Sequence, residues 1–166
     1  MRPSKLLPFT QWADISRTNK FVCAEPMSGY RMIQPDDNNH VTYLPPDATD
    51  EALGRALLEA LGKSRFIWPP DEPEFFKWER YMARRREREE DFIRRYHYKT
   101  RRELYKTMNW CRAKRSEGTI SIVPHDRDAK PGNWKWLAPD MTVVIPATTV
   151  AIEAGAALKL SLDRCA

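Results

Sequence analysis

The chain has 166 residues, of which 42% are hydrophobic and 31% are charged. This length and composition indicate one folded domain and exclude a disordered tail, a collagen-like repeat and a coiled-coil rod. Lys and Arg number 28 against 23 Asp and Glu, so the net charge is +5. No apolar run approaches the roughly 18 residues of a membrane-spanning helix, and the N-terminal residues lack the apolar core of a signal peptide. We therefore expect no membrane insertion.

The three cysteines, Cys23, Cys111 and Cys165, are odd in number, far apart and outside any C-x-x-C pair. Such spacing argues against a disulfide framework and against a zinc site. Their apolar neighbours indicate small packing residues in a reducing compartment, so the cytoplasm is the expected location.

The first part of the chain predicts short extended segments. Residues 1–20 mix prolines, polar residues and aromatic residues without a clear period, which indicates an irregular arm that packs through its aromatic side chains. Strands are predicted at 21–24, 30–33 and 40–44, where β-forming residues stand between turn-forming ones. Together these segments predict a small antiparallel unit.

A strand, a proline and an amphipathic helix occur twice along the chain. Apolar residues recur with helical spacing at 53–61 and again at 154–162, each time after a β-forming run and a proline. Aligning Pro45 with Pro146 also aligns Gly54 with Gly155. A glycine inside a helix costs about 1 kcal/mol relative to alanine, so the two glycines predict a close backbone contact. We expect a duplicated unit whose two helices pack tightly on a shared sheet.

Residues 71–108 are predicted to form a helical insert between the two units. The absence of Gly from 71–97 favours one helix of about 27 residues, and Thr100 begins a capping box for a short second helix. Residues 77–115 hold 15 Lys and Arg against 6 Asp and Glu. Two interpretations of this basic insert remain open. It is a surface that binds phosphates or an acidic partner, or it is a solvated helix face held by Arg–Glu pairs.

The segment after the insert predicts a β-hairpin at 110–123 and a long exposed loop at 124–139. Trp134 and Trp136 in that loop either anchor a partner or hold the loop against the core. All elements together predict a single α+β domain over residues 1–166. Its mixed or antiparallel sheet is covered by amphipathic helices, with the long basic helix on the outside.

The sequence contains candidate catalytic residues, but they do not form a recognisable active-site arrangement. His40, His97 and His125 stand alone, without metal-ligand spacing, and no P-loop, dinucleotide fingerprint or nucleophile elbow is present. The sequence therefore predicts no catalytic residues, no metal and no cofactor. A nucleic-acid-binding module that uses the basic helix 77–102 is the alternative function, although no RNA- or DNA-binding signature supports it.

Several runs, in this order, resemble the CdiI family of contact-dependent growth inhibition immunity proteins. The resemblance covers about residues 41–166 and is carried by YLPPDATDEALGRALLEALGKSRF, RYHYKTRRELYKTMNWC, GTISIVPH with the following KPGNW, and VVIPATTVAIEAGAALKLSLDRC. The segment YKTRRELYKTMNWC is the most specific of these runs, because the first and last are amphipathic helices of a common kind.

The resemblance implies a bacterial cytoplasmic inhibitor rather than an enzyme. Such a protein binds the C-terminal toxin domain of a large surface-exposed effector, often a nuclease, and occludes its active site. Nuclease inhibitors are commonly acidic, whereas this chain is basic. Inhibition could therefore use an acidic face, an acidic toxin surface that meets the Arg-rich helix, or steric blocking. Our candidate toxin-binding residues are Arg84, Arg85, Arg88, Trp134 and Trp136, with Asp36 and Asp37 as the acidic alternative.

Overall fold

In the computed structural model, which describes residues 10–37 and 40–165, eight strands form one curled antiparallel sheet. The strands are β1 (Gln11–Arg17), β2 (Val22–Gly29), β3 (Ile33–Pro35), β4 (Thr42–Leu44), β5 (Asn109–Ser116), β6 (Thr119–Arg127), β7 (Trp134–Trp136) and β8 (Val143–Pro146). The α-helices are α1 (Asp50–Lys63), α2 (Trp78–Tyr96), α3 (Arg101–Lys106) and α4 (Ala151–Arg164), and short 3-10 helices form at Pro73–Phe76 and Pro139–Met141. The predicted α+β class is confirmed.

The chain is built from two successive units of four strands and one helix. In the first unit, β1 pairs with β2, and β3 and β4 share the outer edge of β2 before α1 follows. In the second unit β5 pairs with β6, and β7 and β8 share the outer edge of β6 before α4 follows. The two units join through β1 and β5 at the centre of the sheet. The predicted duplication is therefore present, and it is larger than one strand and one helix.

Helices α1 and α4 cover one face of the sheet and contact each other. Inward residues of β1, β5 and β6 meet apolar side chains of both helices in the main core, which includes Ile15, Ile122, Leu57, Leu61 and Leu158. Thr49 caps α1, because its side chain accepts a hydrogen bond from the Ala52 amide. Helix α4 has no such cap: Val150 occupies the position, and the neighbouring Thr149 donates to the Pro146 carbonyl.

Helices α2 and α3 cover only part of the opposite face. A second apolar cluster lies at one end of that face, around Phe21, Phe92, Leu104 and Met108. Thr100 begins α3 with the predicted capping interaction, since its side chain accepts from the Glu103 amide. The rest of this face of the sheet is not covered by a helix among the described residues, and the candidate site lies there.

The prediction of an irregular N-terminal arm was wrong for residues 11–17. This segment is β1, a central strand, because Ala13 and Ile15 alternate into the core at 0% exposure while Asp14 and Ser16 point to the other face. Residues 1–9 of that predicted arm lie outside the described residues. Strand β2 also runs further than predicted, to Gly29.

Two predictions in the second half also need correction. The predicted helix 71–97 is broken, because Pro73–Phe76 forms a 3-10 turn and Lys77 is extended, so that α2 begins only at Trp78. The predicted loop 124–139 is partly β-structure, because β6 continues to Arg127 and β7 pairs back onto it. The 110–123 hairpin is confirmed, with Glu117 and Gly118 in the left-handed conformations that a two-residue turn requires.

Candidate functional site

The uncovered part of the sheet forms the floor of a cavity of about 410 Å³, here called the central cleft. Strands β1, β2 and β5 supply the floor, α2 forms one wall, and residues 128–134 form the other. The apolar contacts of α2 are concentrated near Phe92. Near its N-terminal end α2 contacts β3, where Arg80 donates to the Pro35 carbonyl oxygen at 2.9 Å, and the cleft lies beside the middle of the helix.

The floor of the central cleft carries two ion pairs between distant parts of the chain. Asp14 of β1 lies directly opposite Arg112 of β5, and the guanidinium donates to both carboxylate oxygens at 2.8 and 3.0 Å. Burial alone would lower the pKa of Arg112, but the Asp14 carboxylate outweighs it and raises that pKa. Glu25 of β2 accepts from Arg88 of α2 at 3.0 Å. Burial raises the pKa of Glu25, and Arg88 opposes the rise.

The walls of the cleft are connected by hydrogen bonds from α2. Arg85 donates to the Gly132 carbonyl oxygen at 3.0 Å, which ties α2 to the opposite wall. Glu89 accepts from the Tyr105 hydroxyl at 2.8 Å and is also paired with Arg101. Burial and the Glu89 carboxylate raise the pKa of Tyr105, which keeps its hydroxyl protonated and donating. Among the described residues, Arg85 forms no ion pair with a carboxylate, so its guanidinium keeps free donors at the rim.

A second cavity of about 610 Å³, here called the outer cleft, lies between α2 and the β3–β4 connection. It meets the central cleft at the Glu25–Arg88 pair, which lines both. Asp37 accepts from Arg80 at 2.8 Å and from Arg84 at 2.6 Å. The two predicted contact residues Asp37 and Arg84 are thus bonded to each other.

Asp36 is held inside the chain rather than presented to solvent. Its buried carboxylate accepts from Ser28 at 2.6 Å and from Arg65 at 2.8 and 2.9 Å. Burial alone would raise the pKa of Asp36, but these hydrogen bonds outweigh it and lower that pKa. Asp36 therefore fixes the β3 end of the outer cleft and offers little free surface to a partner.

A row of aromatic rings extends from the central cleft to the edge of the sheet. Trp134 and Trp110 have ring centroids 5.5 Å apart, Trp110 stacks on His125 at 4.1 Å, and His125 contacts Trp136 at 4.5 Å. Trp136 is 74% exposed, whereas His125 beneath it is 2% exposed. Among the described residues, neither ring nitrogen of His125 has a partner with hydrogen-bond geometry. Burial, together with the nearby Arg112, lowers the pKa of His125, although Asp14 opposes the change.

The structure gathers most of the predicted contact residues in one region. Six of them line the two clefts, namely Arg84, Arg85, Arg88, Trp134, Asp36 and Asp37. Trp136 lies outside both clefts, at the exposed end of the aromatic row. Sequence reasoning missed the floor residues Asp14, Glu25 and Arg112. The signal available for them was the alternation of Ala13 and Ile15 with polar neighbours, which marks Asp14 as the opposite face of a strand.

Three carboxylates that line the central cleft are ion-paired within the chain. Asp14, Glu25 and Glu89 are each held by an arginine, so they present no free base to a substrate. Within residues 10–37 and 40–165, no group of three or more His, Cys, Asp or Glu side chains could hold a metal ion. In the same residues, no helix is long and apolar enough to cross a membrane.

Comparison with known proteins gives the family. The model of the CDI immunity protein family, CdiI, matches residues 11–165. The chain belongs to the CdiI family. It is 31% identical over 168 residues to the immunity protein CdiI-YPIII of Yersinia pseudotuberculosis serotype O:3 (strain YPIII), with 93% of this chain and 94% of that protein covered. The family resemblance carried by the four sequence runs is thereby confirmed.

Two solved structures share the CdiI fold over nearly the whole chain. A chain of the CdiA-CT/CdiI toxin and immunity complex from Yersinia pseudotuberculosis superposes with a TM-score of 0.89 at 28% identity, covering 95% of this chain and 98% of the other. A protein of unknown function from Neisseria meningitidis gives a TM-score of 0.89 at 28% identity, with both chains covered completely. The two-unit sheet with its helical insert is therefore an architecture that this chain shares with a solved CdiI protein.

Proposed function

We propose that this protein is an immunity protein that binds the toxin domain of its own CdiA-type effector and so protects the cell that makes it. The observation that supports this most directly is its similarity, over 95% of the chain, to the CdiI protein in a toxin and immunity complex. The protein acts by stoichiometric binding and catalyses no reaction of its own. The arginine-held carboxylates of the central cleft support that absence of turnover.

The toxin-binding face is the side of the sheet that carries the central cleft and the aromatic row. Two features on this side offer what a tight interface needs. Trp136 is an exposed aromatic anchor that rests on a stacked support, and Arg85 keeps free donors at the rim. Tryptophan and arginine are the residue types that most often dominate interface energies. The α1–α4 side presents two amphipathic helices whose apolar stripes pack in the core, although Ile152 and Leu160 of α4 remain exposed.

The ion pairs of α2 favour steric blocking of the toxin over inhibition by charge complementarity. Asp37 is bonded to Arg80 and Arg84, and Arg88 is bonded to Glu25, so these three arginines of the basic insert are paired with carboxylates outside it. Inhibition of the toxin therefore needs neither an acidic surface that mimics phosphate nor an unpaired cationic helix.

The toxin is a nuclease, and the protein covers its active site or substrate channel. The pairing of Arg80, Arg84 and Arg88 within the chain also reduces the charge available to the alternative of nucleic-acid binding by the helix 77–102, because phosphate binding draws on unpaired cations.

The test is co-expression in the cytoplasm of a susceptible bacterium with the C-terminal domain of the CdiA-type protein encoded next to this gene. We expect growth to be rescued, and the two purified chains to form a stable complex with one protein per toxin domain. The same chain paired with the toxin domain of an unrelated effector is the control and should neither bind nor rescue. Failure of the cognate pair both to associate and to rescue would overturn the proposal.

The mode of inhibition is tested with the purified toxin domain. A nuclease toxin cuts RNA or DNA, and one equivalent of this protein should stop the cutting. If the active site is covered, a nucleic-acid analogue that resists cleavage should compete with this protein for the toxin. Simultaneous binding of both ligands would contradict occlusion while leaving the immunity function intact. A salt-sensitive affinity of this protein alone for nucleic acid would instead support the alternative function.

A further inference from the structure

Two of the three cysteines lie side by side on the face of the sheet opposite the central cleft. Cys111 of β5 and Cys165, the residue that caps the C-terminus of α4, have their Sγ atoms 3.7 Å apart although they are 54 residues apart in sequence. Cys111 is 0% exposed and Cys165 is partly exposed. All three cysteines are free thiols in the structure. The sequence offered no sign of this pairing, because it depends on how α4 packs across β5.

The contacts around the two sulfur atoms make Cys165 the more reactive thiol of the pair. Its Sγ is 3.4 Å from the Trp110 carbonyl oxygen, and Ser161 contacts the Cys111 sulfur at 3.3 Å. The hydrogen bond with Cys111 lowers the pKa of Cys165 to about 7, against the effect of burial, with a smaller contribution from Arg17. Burial and the same contact raise the pKa of Cys111. One thiol is therefore partly exposed and readily ionised, while its neighbour is buried and protonated.

We propose that Cys111 and Cys165 are a redox modification site, at which a hydroperoxide converts the two thiols into a reversible disulfide. In the first step the Cys165 thiolate attacks the peroxide, an S–O bond forms and the O–O bond breaks. The departing oxygen takes up a proton and leaves as water or an alcohol. The Cys165 sulfur has then lost two electrons to the peroxide and is a sulfenic acid.

In the second step Cys111 resolves this intermediate. Its thiol loses a proton as its sulfur attacks the Cys165 sulfur, an S–S bond forms, and the S–O bond breaks. The hydroxide that leaves combines with that proton as water. The sulfur atoms must approach by about 1.7 Å to reach bonding distance. Cys165 can supply this movement because it follows the last residue of α4 and has extended backbone angles.

The disulfide would fasten the C-terminal end of α4 to a central strand of the sheet. Helix α4 carries half of the helical cover over the main core, including Leu158 and Leu162. A cross-link that closes a loop of this length restricts the unfolded chain, and we expect it to raise Tm by about 10 °C. The oxidised protein would therefore stay folded under conditions that inactivate the reduced one. This inference does not depend on the proposed toxin partner.

The test uses the full-length reduced protein, freed of reductant and treated with hydrogen peroxide. We expect an intact mass lower by two hydrogen atoms, loss of two of its three free thiols, and a cross-linked tryptic peptide pair that contains Cys111 and Cys165. Dithiothreitol should restore the thiols and the original Tm. Cys165→Ser should abolish both the cross-link and the rise in Tm.

Cys23→Ser is the matched control, because Cys23 is buried in the second apolar cluster, away from this pair. It should leave the cross-link and the rise in Tm unchanged. Peptide mapping of the unmodified sequence keeps the proposal testable even if a cysteine variant folds poorly. A sulfinic acid at Cys165 without a cross-link, a disulfide between two chains, or a cross-link that leaves Tm unchanged would each overturn the proposal.

Discussion

Gly54 of α1 and Gly155 of α4 lie against each other where the two helices cross. A Cβ atom on Gly54 would stand 1.6 Å from the Ala151 carbonyl oxygen, and a Cβ atom on Gly155 would stand 1.6 Å from the Asp50 carbonyl oxygen. The two helix backbones are therefore in direct contact, and the contact is nearly symmetric. The same two glycines align when the two units of the chain are superposed, so the close approach belongs to the duplicated architecture.

The first prediction concerns this crossing. Gly54→Ala should lower the free energy of unfolding by about 3 kcal/mol, because a backbone carbonyl cannot move aside as a flexible side chain would. Gly62→Ala is the matched control, since Gly62 is in the same helix and a Cβ there meets nothing within 4 Å. The control should gain about 1 kcal/mol from helix propensity. Urea unfolding of the three proteins measures both effects, and equal stabilities would contradict the crossing geometry.

The second prediction concerns acid stability. Because burial lowers the pKa of His125 in the folded protein, the unfolded chain takes up that proton first as the pH falls. Above the unfolded pKa of about 6.5, His125 is neutral in both states and its titration does not affect stability. Below that pH, proton uptake by the unfolded chain progressively lowers the stability of the folded protein. His125→Phe keeps an aromatic ring between Trp110 and Trp136, and it should flatten the pH dependence of stability below about pH 6.5.

The control for this pH dependence is His40→Gln, since His40 is exposed and outside the aromatic row. We also expect His125→Phe to be at least as stable as the original chain at pH 7. The two buried ring nitrogens of His125 make no hydrogen bonds to the described residues. Replacing them with carbon therefore removes the free-energy cost of burying polar atoms. If His40→Gln flattens the pH dependence of stability and His125→Phe does not, a group other than His125 governs the loss of stability in acid.

The third prediction concerns the floor of the central cleft. Asp14 and Arg112 form a two-bond ion pair that is mostly shielded, with exposed side-chain fractions of 16% and 24%. A double-mutant cycle with Asp14→Ala and Arg112→Ala should give a coupling energy of about 2 kcal/mol in denaturant unfolding. The exposed Glu51–Arg55 pair of α1 is the control cycle, and its coupling should be about 0.5 kcal/mol. Similar values for the two pairs would mean that the cleft floor is as well solvated as the outer surface.

Local patterns in the sequence were enough to predict much of the fold. The apolar stripe at 53–61 identified α1, the capping box at Thr100 identified α3, and the Gly54 and Gly155 positions indicated a close helix contact. Each of these signals comes from residues within one or two helical turns. Strand β1 was missed because Asp14 and Ser16 are poor strand formers, and only Ala13 and Ile15 mark its buried face.

The candidate site was less predictable, because its geometry depends on register between distant segments. Arg112 meets Asp14 only because β5 pairs with β1 in one particular alignment, and Arg88 meets Glu25 only because α2 packs across β2. The Arg residues of α2 could be named from their charge, but their carboxylate partners could not. For the same reason the sequence left open whether the basic insert is a surface for a partner or a face held by Arg–Glu pairs, and the structure shows Arg80, Arg84 and Arg88 paired within the chain.

The fourth prediction locates the toxin-binding face and depends on the proposed function. Trp136→Ala and Arg85→Ala should each weaken binding of the cognate toxin domain by about tenfold or more, as measured by calorimetry or surface plasmon resonance. Neither substitution should change Tm by more than a few degrees. Trp136 is 74% exposed, and Arg85 gives up one hydrogen bond to a backbone carbonyl.

The controls for this face lie on the opposite side of the sheet. Ile152→Ala removes an apolar side chain of α4 that is 57% exposed, and Arg55→Ala removes an exposed arginine of α1. Both should bind the toxin as the original chain does. If these two variants lose affinity while the Trp136 and Arg85 variants keep it, the toxin binds the α1–α4 side. The immunity function would stand in that case, but the central cleft would serve only the internal packing of α2, because an interface loses affinity only where its buried contacts are removed.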